Sequence, residues 1–181
     1  MSLRGKIKRH VERLKAAKFA RDEKGATLIE FGVLALPFFA ILGATLETAL
    51  VFFASQILDS AVGDASRVVR TGQAQSAEWS MANFRQSLCS RTLNVFNCDA
   101  IRIRVRTVNL FANATYAAPV DEDGNWTLVE DYNDGGPSSI VFVEAYYKWP
   151  VALNLFGFNL VNQPDGTRLL GSSRVFKNEP F

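Results

Sequence analysis

Histidine and cysteine are nearly absent from this chain: its 181 residues include one His and two Cys. The single imidazole, His10, stands in a basic N-terminal segment. Once that segment is removed, Ser-His-Asp catalysis, Cys-His catalysis and any His-ligated metal are excluded. Two cysteines exclude a disulfide-dense scaffold and a four-cysteine zinc site. Carboxylates, Lys and Tyr could still do acid–base work. No nucleophile–base pair or metal-ligand cluster stands out, so neither an enzyme nor a cofactor or metal is expected. Wholesale disorder is excluded in turn, because 48% of the residues are hydrophobic and only 21% charged.

What the chain does have is unevenly placed. Residues 1–24 carry nine Lys/Arg and three acids, a net charge of +6, whereas the rest carries 11 basic and 15 acidic side chains, a net −4. A basic leader on a mildly acidic body gives no reason to expect nucleic-acid binding. After Glu30, residues 31–46 contain no charge; Glu47 interrupts, and residues 48–58 are uncharged again. That exceeds the roughly 20 residues needed to cross a bilayer core. A signal peptide has a shorter apolar core and a small-x-small cleavage site, and a soluble core helix would need a larger protein to bury it. Nine basic residues precede the span and the first after it are Arg67 and Arg70. The positive-inside rule therefore predicts a cytoplasmic N-terminus and an external C-terminal part. Glu47 sits about 25 Å up the helix from Glu30 at 1.5 Å per residue. It should either face a protein partner or reach the outer headgroups.

Beyond the span, Ile57, Leu58, Ala61, Val62, Ala65, Val68 and Val69 recur at three- and four-residue steps. They predict an amphipathic continuation of the same helix, ending at Thr71-Gly72. The residues 24–31, Lys-Gly-Ala-Thr-Leu-Ile-Glu-Phe, join the leader to the span. This junction resembles the processing site of type IV prepilins, which an inner-membrane peptidase cuts after the Gly. With Ser66 to Gln73, the Cys89/Cys98 pair and the ending 174–181, the chain resembles the TadE-like family of minor pilins or pseudopilins of the Tad (Flp) pilus. The resemblance implies cleavage between Gly25 and Ala26 and an assembly role for Glu30, Phe31 and Glu47. It also implies a structural part in pilus biogenesis, adhesion and biofilm formation. The implied partners are the prepilin peptidase, other pilin subunits, Tad inner-membrane assembly proteins and the lipid bilayer. The rival expectation is an unprocessed single-pass inner-membrane protein whose periplasmic part binds the secretion or pilus machine.

The expected organisation is a leader at 1–25, a transmembrane and amphipathic helix at 26–72, and a periplasmic α+β head with an antiparallel sheet at 73–181. In the head, residues 76–88 read as a helix capped by Ser76. Residues 101–106 alternate strictly and predict a strand with Ile101, Ile103 and Val105 inward. The outward Arg102, Arg104 and Arg106 would be solvated, paired with acids on a neighbouring strand, or available to an acidic partner. Residues 109–116, 126–130, 140–149 and 168–176 also read as strands, with turns at 121–124, 134–137 and 163–166. The acidic turn after Val120 fails the calcium-loop pattern, since Gly stands fourth rather than sixth and Tyr132 occupies the place of the closing Glu. Cys89 and Cys98, on the oxidising side of the membrane, should form a disulfide.

Overall fold

The computed structural model describes residues 23–155 and 158–181. The basic segment up to residue 22, with His10 and the leader's apolar positions Ile7, Val11 and Leu14, lies outside the described residues. The chain divides into two compact units, Met1–Ala44 and Thr45–Phe181.

Helix α1 runs Glu23–Arg70, and Pro37 lies inside it without ending it. Within the second unit, one face of α1 is buried through Val51, Ala54, Leu58, Ala61, Val62, Ala65 and Val69. The spacing is helical, and three of the seven are alanines, which let a neighbouring surface come close. The helix stops where expected. Thr71 and Gly72 donate their N–H groups to the carbonyls of Arg67 and Val69. Gly72 takes a left-handed φ of +79°, and a Cβ there would overlap the ring of Phe181. Only glycine meets both conditions cheaply.

Two short helices follow, α2 at Gln73–Ser76 and α3 at Met81–Cys89. The expected helix start at Ser76 is thus displaced to Ser80. The Ser76 hydroxyl is occupied by the carbonyl of Gly72 at 2.8 Å, and Glu78 adopts a left-handed φ of 49° that breaks the helix. At the new start, Asn83 Oδ1 accepts from the Ser80 backbone N–H at 2.9 Å and from its hydroxyl at 2.8 Å.

The strands are β1 (Arg102–Val108), β2 (Asp131–Tyr132), β3 (Ile140–Pro150), β4 (Asn154–Leu155), β5 (Phe158–Asn159) and β6 (Thr167–Lys177). The main sheet has the order β2-β1-β3-β6. β1/β3 and β3/β6 are antiparallel, and the two-residue β2 adds a parallel pair at the β1 edge. A long apolar helix followed by this small sheet makes the α+β class expected from the sequence. Ile103, Val105, Val141, Val143 and Ala145 are buried in one cluster with the apolar face of α1 and with Phe84 and Leu88 of α3. Each fully buried Val, Leu, Ile or Phe contributes about 1.5–3 kcal/mol.

Residues 109–116 and 126–130 are not strands. The first contains a single 3-10 turn at Phe111–Asn113, and the second makes one isolated bridge, Val120 to Trp126. Both lack an edge to join. β3 takes one side of β1; β2 and the Glu130 side chain, which accepts the Ile103 N–H at 3.0 Å, take the other. The 121–124 turn is instead closed locally, Asp121 Oδ1 accepting the Asn125 N–H at 2.7 Å.

Candidate functional site

In the first unit, the junction stands open. Gly25, Glu30 and Phe31 are all exposed. Among the described residues nothing lies within 4 Å of where a Cβ at Gly25 would be. Glycine in a helix costs roughly 0.5–1 kcal/mol against alanine, and no close neighbour here requires it. Ala26 belongs to α1, with its side chain outside the described residues. From Leu28, 78% exposed, through Val33, Leu36, Phe39, Leu42 and Leu46, large apolar side chains are presented outward. Thr27–Arg70 is long and apolar enough to cross a membrane, with a peak mean hydropathy of 2.0 and none of that stretch buried. Such a surface is favourable in lipid or against other apolar helices and costly in water.

Glu47 breaks this pattern. It is 7% exposed, and its carboxyl oxygens accept backbone N–H groups from the connection after β3. Ala152 N lies 2.6 Å from Oε1, and Leu153 N lies 3.1 Å from both oxygens. Of the two expected fates for this acid, the protein partner is the one seen, and it comes from the same chain 105 residues later. Gly25, Ala26, Glu30 and Phe31 lie in the first unit and Glu47, Cys89 and Cys98 in the second.

Cys89 and Cys98 form a disulfide with Cα atoms 5.9 Å apart. It ties the end of α3 to the turn before β1. Within the closed loop, Phe96 is buried edge-on against Tyr147 at 4.9 Å and near Trp149 at 5.8 Å. The bridge thereby holds an aromatic cluster against β3.

The arginine row is satisfied across the sheet. Arg104 faces Glu144 in the β1/β3 register, and Glu144 is completely buried. Arg104 Nη2 and Nε lie 2.8 and 2.9 Å from Glu144 Oε2, Arg106 Nε 3.7 Å from it. Tyr146 donates its hydroxyl to Oε1 at 3.1 Å. Burial, then the Glu144 charge, hold the Tyr146 phenol above its usual range. Arg102 reaches Glu130 at 3.9 Å, and Arg85 holds the same carboxylate at 2.7 Å. The row is therefore paired with acids rather than offered to an anionic ligand. Gly171, opposite Tyr146 in β6, leaves room for that ring: a Cβ there would come within 2.9 Å of it.

On the core face, Asp59 of α1 accepts from Arg174 at 2.6 Å and from Ser172 at 2.8 Å. Sequence reasoning missed the roles of Asp59, Glu130 and Glu144. For Glu144 a signal existed, a lone acid in the otherwise apolar run Ile140-Val-Phe-Val-Glu-Ala. At the far end of β3, Lys148 pairs with Asp165 at 2.6 Å. This lysine, helped by Thr167, lowers the Asp165 carboxyl to about 2. Among the described residues no group of three or more His, Cys, Asp or Glu could hold a metal ion.

No curated protein and no solved structure matches the chain. Residues 25–67, which begin at the junction glycine and take in the exposed apolar stretch, Glu47 and most of the buried helix face, match the family model described as TadE-like protein.

Proposed function

We propose that this chain is a pilin-like structural subunit of a bacterial Tad (Flp) pilus, inserted in the inner membrane through α1. The TadE-like match over residues 25–67 carries the reading. The exposed junction and the outward apolar surface of residues 28–46 support it. In this reading the prepilin peptidase cuts between Gly25 and Ala26, and the mature chain keeps 156 residues. Glycine serves the peptidase, consistent with its having no packing role here.

The leader is then 1–25, the membrane and amphipathic helix 26–72, and the head 73–181, with the N-terminus cytoplasmic and the head periplasmic. Cleavage creates an α-amino group at Ala26. Glu30 of a neighbouring subunit neutralises it and sets the axial register between helices, because an unpaired charge at the apolar boundary is costly. Phe31 and the apolar side chains after it pack against other pilin helices and Tad inner-membrane proteins. Glu47 keeps its own head in position for that packing. The subunit supports pilus biogenesis, and through it adhesion and biofilm formation.

Mass spectrometry of the mature N-terminus tests the processing step. The expected chain starts at Ala26, and Gly25→Val blocks its formation. A chain starting at Met1 in cells with active peptidase leaves the unprocessed single-pass protein instead. For Glu30→Ala, the expected outcome is normal cleavage and membrane insertion with loss from the pilus. Normal piliation with that variant removes the inter-subunit role of Glu30.

A further inference from the structure

The connection from β3 to β6 contains the longest uncharged run after α1. Residues 149–164, sixteen in all, include no Asp, Glu, Lys or Arg, and seven of them are Val, Leu or Phe. A run of this kind on a water-facing loop is unusual, since loops are ordinarily polar. Its two ends are charged, and they are closed on each other by the Lys148–Asp165 pair. Within the run, β4 and β5 form a small antiparallel hairpin in which Leu155 pairs with Phe158. The result is a protrusion with a charged root and an apolar far end.

Its position along the helix is defined by Glu47, whose carboxyl oxygens hold the N–H groups of Ala152 and Leu153. A bilayer core takes about 20 helical residues, and counted from Thr27 these end beside Glu47. Around that level α1 still presents Leu46, Leu50 and Phe53 outward, while Val51 and Ala54 on another face are buried. The protrusion is thus clamped at the level where the apolar helix leaves lipid.

We propose that this hairpin is a second membrane contact. The 149–164 connection lies in the outer leaflet of the same bilayer beside α1, with Lys148 and Asp165 at the aqueous surface and Glu47 as its tether. Apolar area buried in the interface, without charge to desolvate, supplies the binding. The inference rests on the reading of α1 as a membrane span. It adds that the head is seated on the membrane by two separate parts of the chain.

Both native cysteines are held in the disulfide, so one introduced cysteine can be labelled specifically. The full chain is reconstituted in phosphatidylethanolamine/phosphatidylglycerol vesicles with a fluorophore at Leu155→Cys. Separate samples carry it at Phe158→Cys, at Leu36→Cys in the span, and at Lys177→Cys at the opposite end of β6. The expected result is quenching by lipid-attached nitroxides at Leu36, Leu155 and Phe158, several-fold above that at Lys177. Quenching at Leu36 with Leu155 and Phe158 behaving like Lys177 overturns the hairpin contact and leaves the span standing. Shielding of Leu155 and Phe158 from aqueous iodide without lipid quenching also overturns it, in favour of a protein occupant. Absence of quenching at Leu36 defeats the span and the proposal together.

Discussion

Two stretches of one helix are similarly apolar and have opposite surroundings. Residues 28–46 expose large side chains in every direction, with Leu, Ile, Val and Phe outward turn after turn. Residues 51–69 bury one narrow face, built from Val51, Ala54, Leu58, Ala61, Val62, Ala65 and Val69, and turn Asp59, Asp64 and Arg67 elsewhere. Hydropathy alone does not say what an apolar helix touches. Side-chain size and the angular distribution of polar residues do. Bulk on all sides suits lipid or other helices, whereas a stripe interrupted by alanines suits a sheet that must come near.

The second stretch depends on its sheet, so the largest effect is expected from the buried charge that organises that sheet. Glu144→Ala leaves Arg104 facing a vacated buried site and should destabilise the head by about 3–5 kcal/mol, read by urea unfolding of the detergent-solubilised chain. An unchanged midpoint would mean that the pair is not integral to the sheet. The most direct contrast comes from trimming one leucine in each stretch. Leu58→Ala, at a fully buried site, should cost about 2–5 kcal/mol. Leu42→Ala, on the exposed stretch, should leave the same transition in place. Equal losses at the two sites would erase the distinction.

Glu47 marks the change of surroundings. Glu47→Ala strips Ala152 and Leu153 of their acceptor and should cost about 1.5–3 kcal/mol, the range for hydrogen bonds to charged groups. Faster proteolysis within 149–164 should accompany the loss. Resistance equal to that of the unaltered chain would show that Glu47 does not hold the connection. The smallest effect concerns Asp165. Its folded carboxyl lies at about 2, below the unfolded value of about 3.9. Its pairing with Lys148 therefore favours the fold above pH ~4 and is lost as pH falls from there through ~2. Asp165→Asn should abolish that small acid-range slope, measured by thermal melts across the window.

Much of the architecture could be read before any coordinates. The three- and four-residue steps of Ile57 to Val69 predicted the buried face, and Thr71-Gly72 predicted the stop. The alternation of Ile101, Ile103 and Val105 predicted an edge-to-core strand. These are local signals, in which each residue's environment follows from a period of 3.6 or 2. Failures came where local pattern had competitors. Ser76 is a good cap by type, yet its hydroxyl was already engaged by Gly72, and Ser80 took the position. Residues 109–116 and 126–130 have strand-like composition, but the β1 edge was taken by β2 and by a carboxylate.

The sequence by itself determined the apolar helix, its polarity of charge and the alternation of the strands, because these depend on neighbours within a few residues. It also marked the Gly25–Glu30 junction. Only the tertiary structure decided the partners of the acids. Glu47 meets N–H groups 105 and 106 residues away, Asp59 meets Arg174, and Glu144 answers Arg104 and Arg106. Electrostatic and hydrogen-bond pairing acts over a few ångströms of space whatever the separation along the chain. The spacing of residues in one dimension therefore shows that a buried charge needs a partner, and the packing of helix on sheet selects which one it finds.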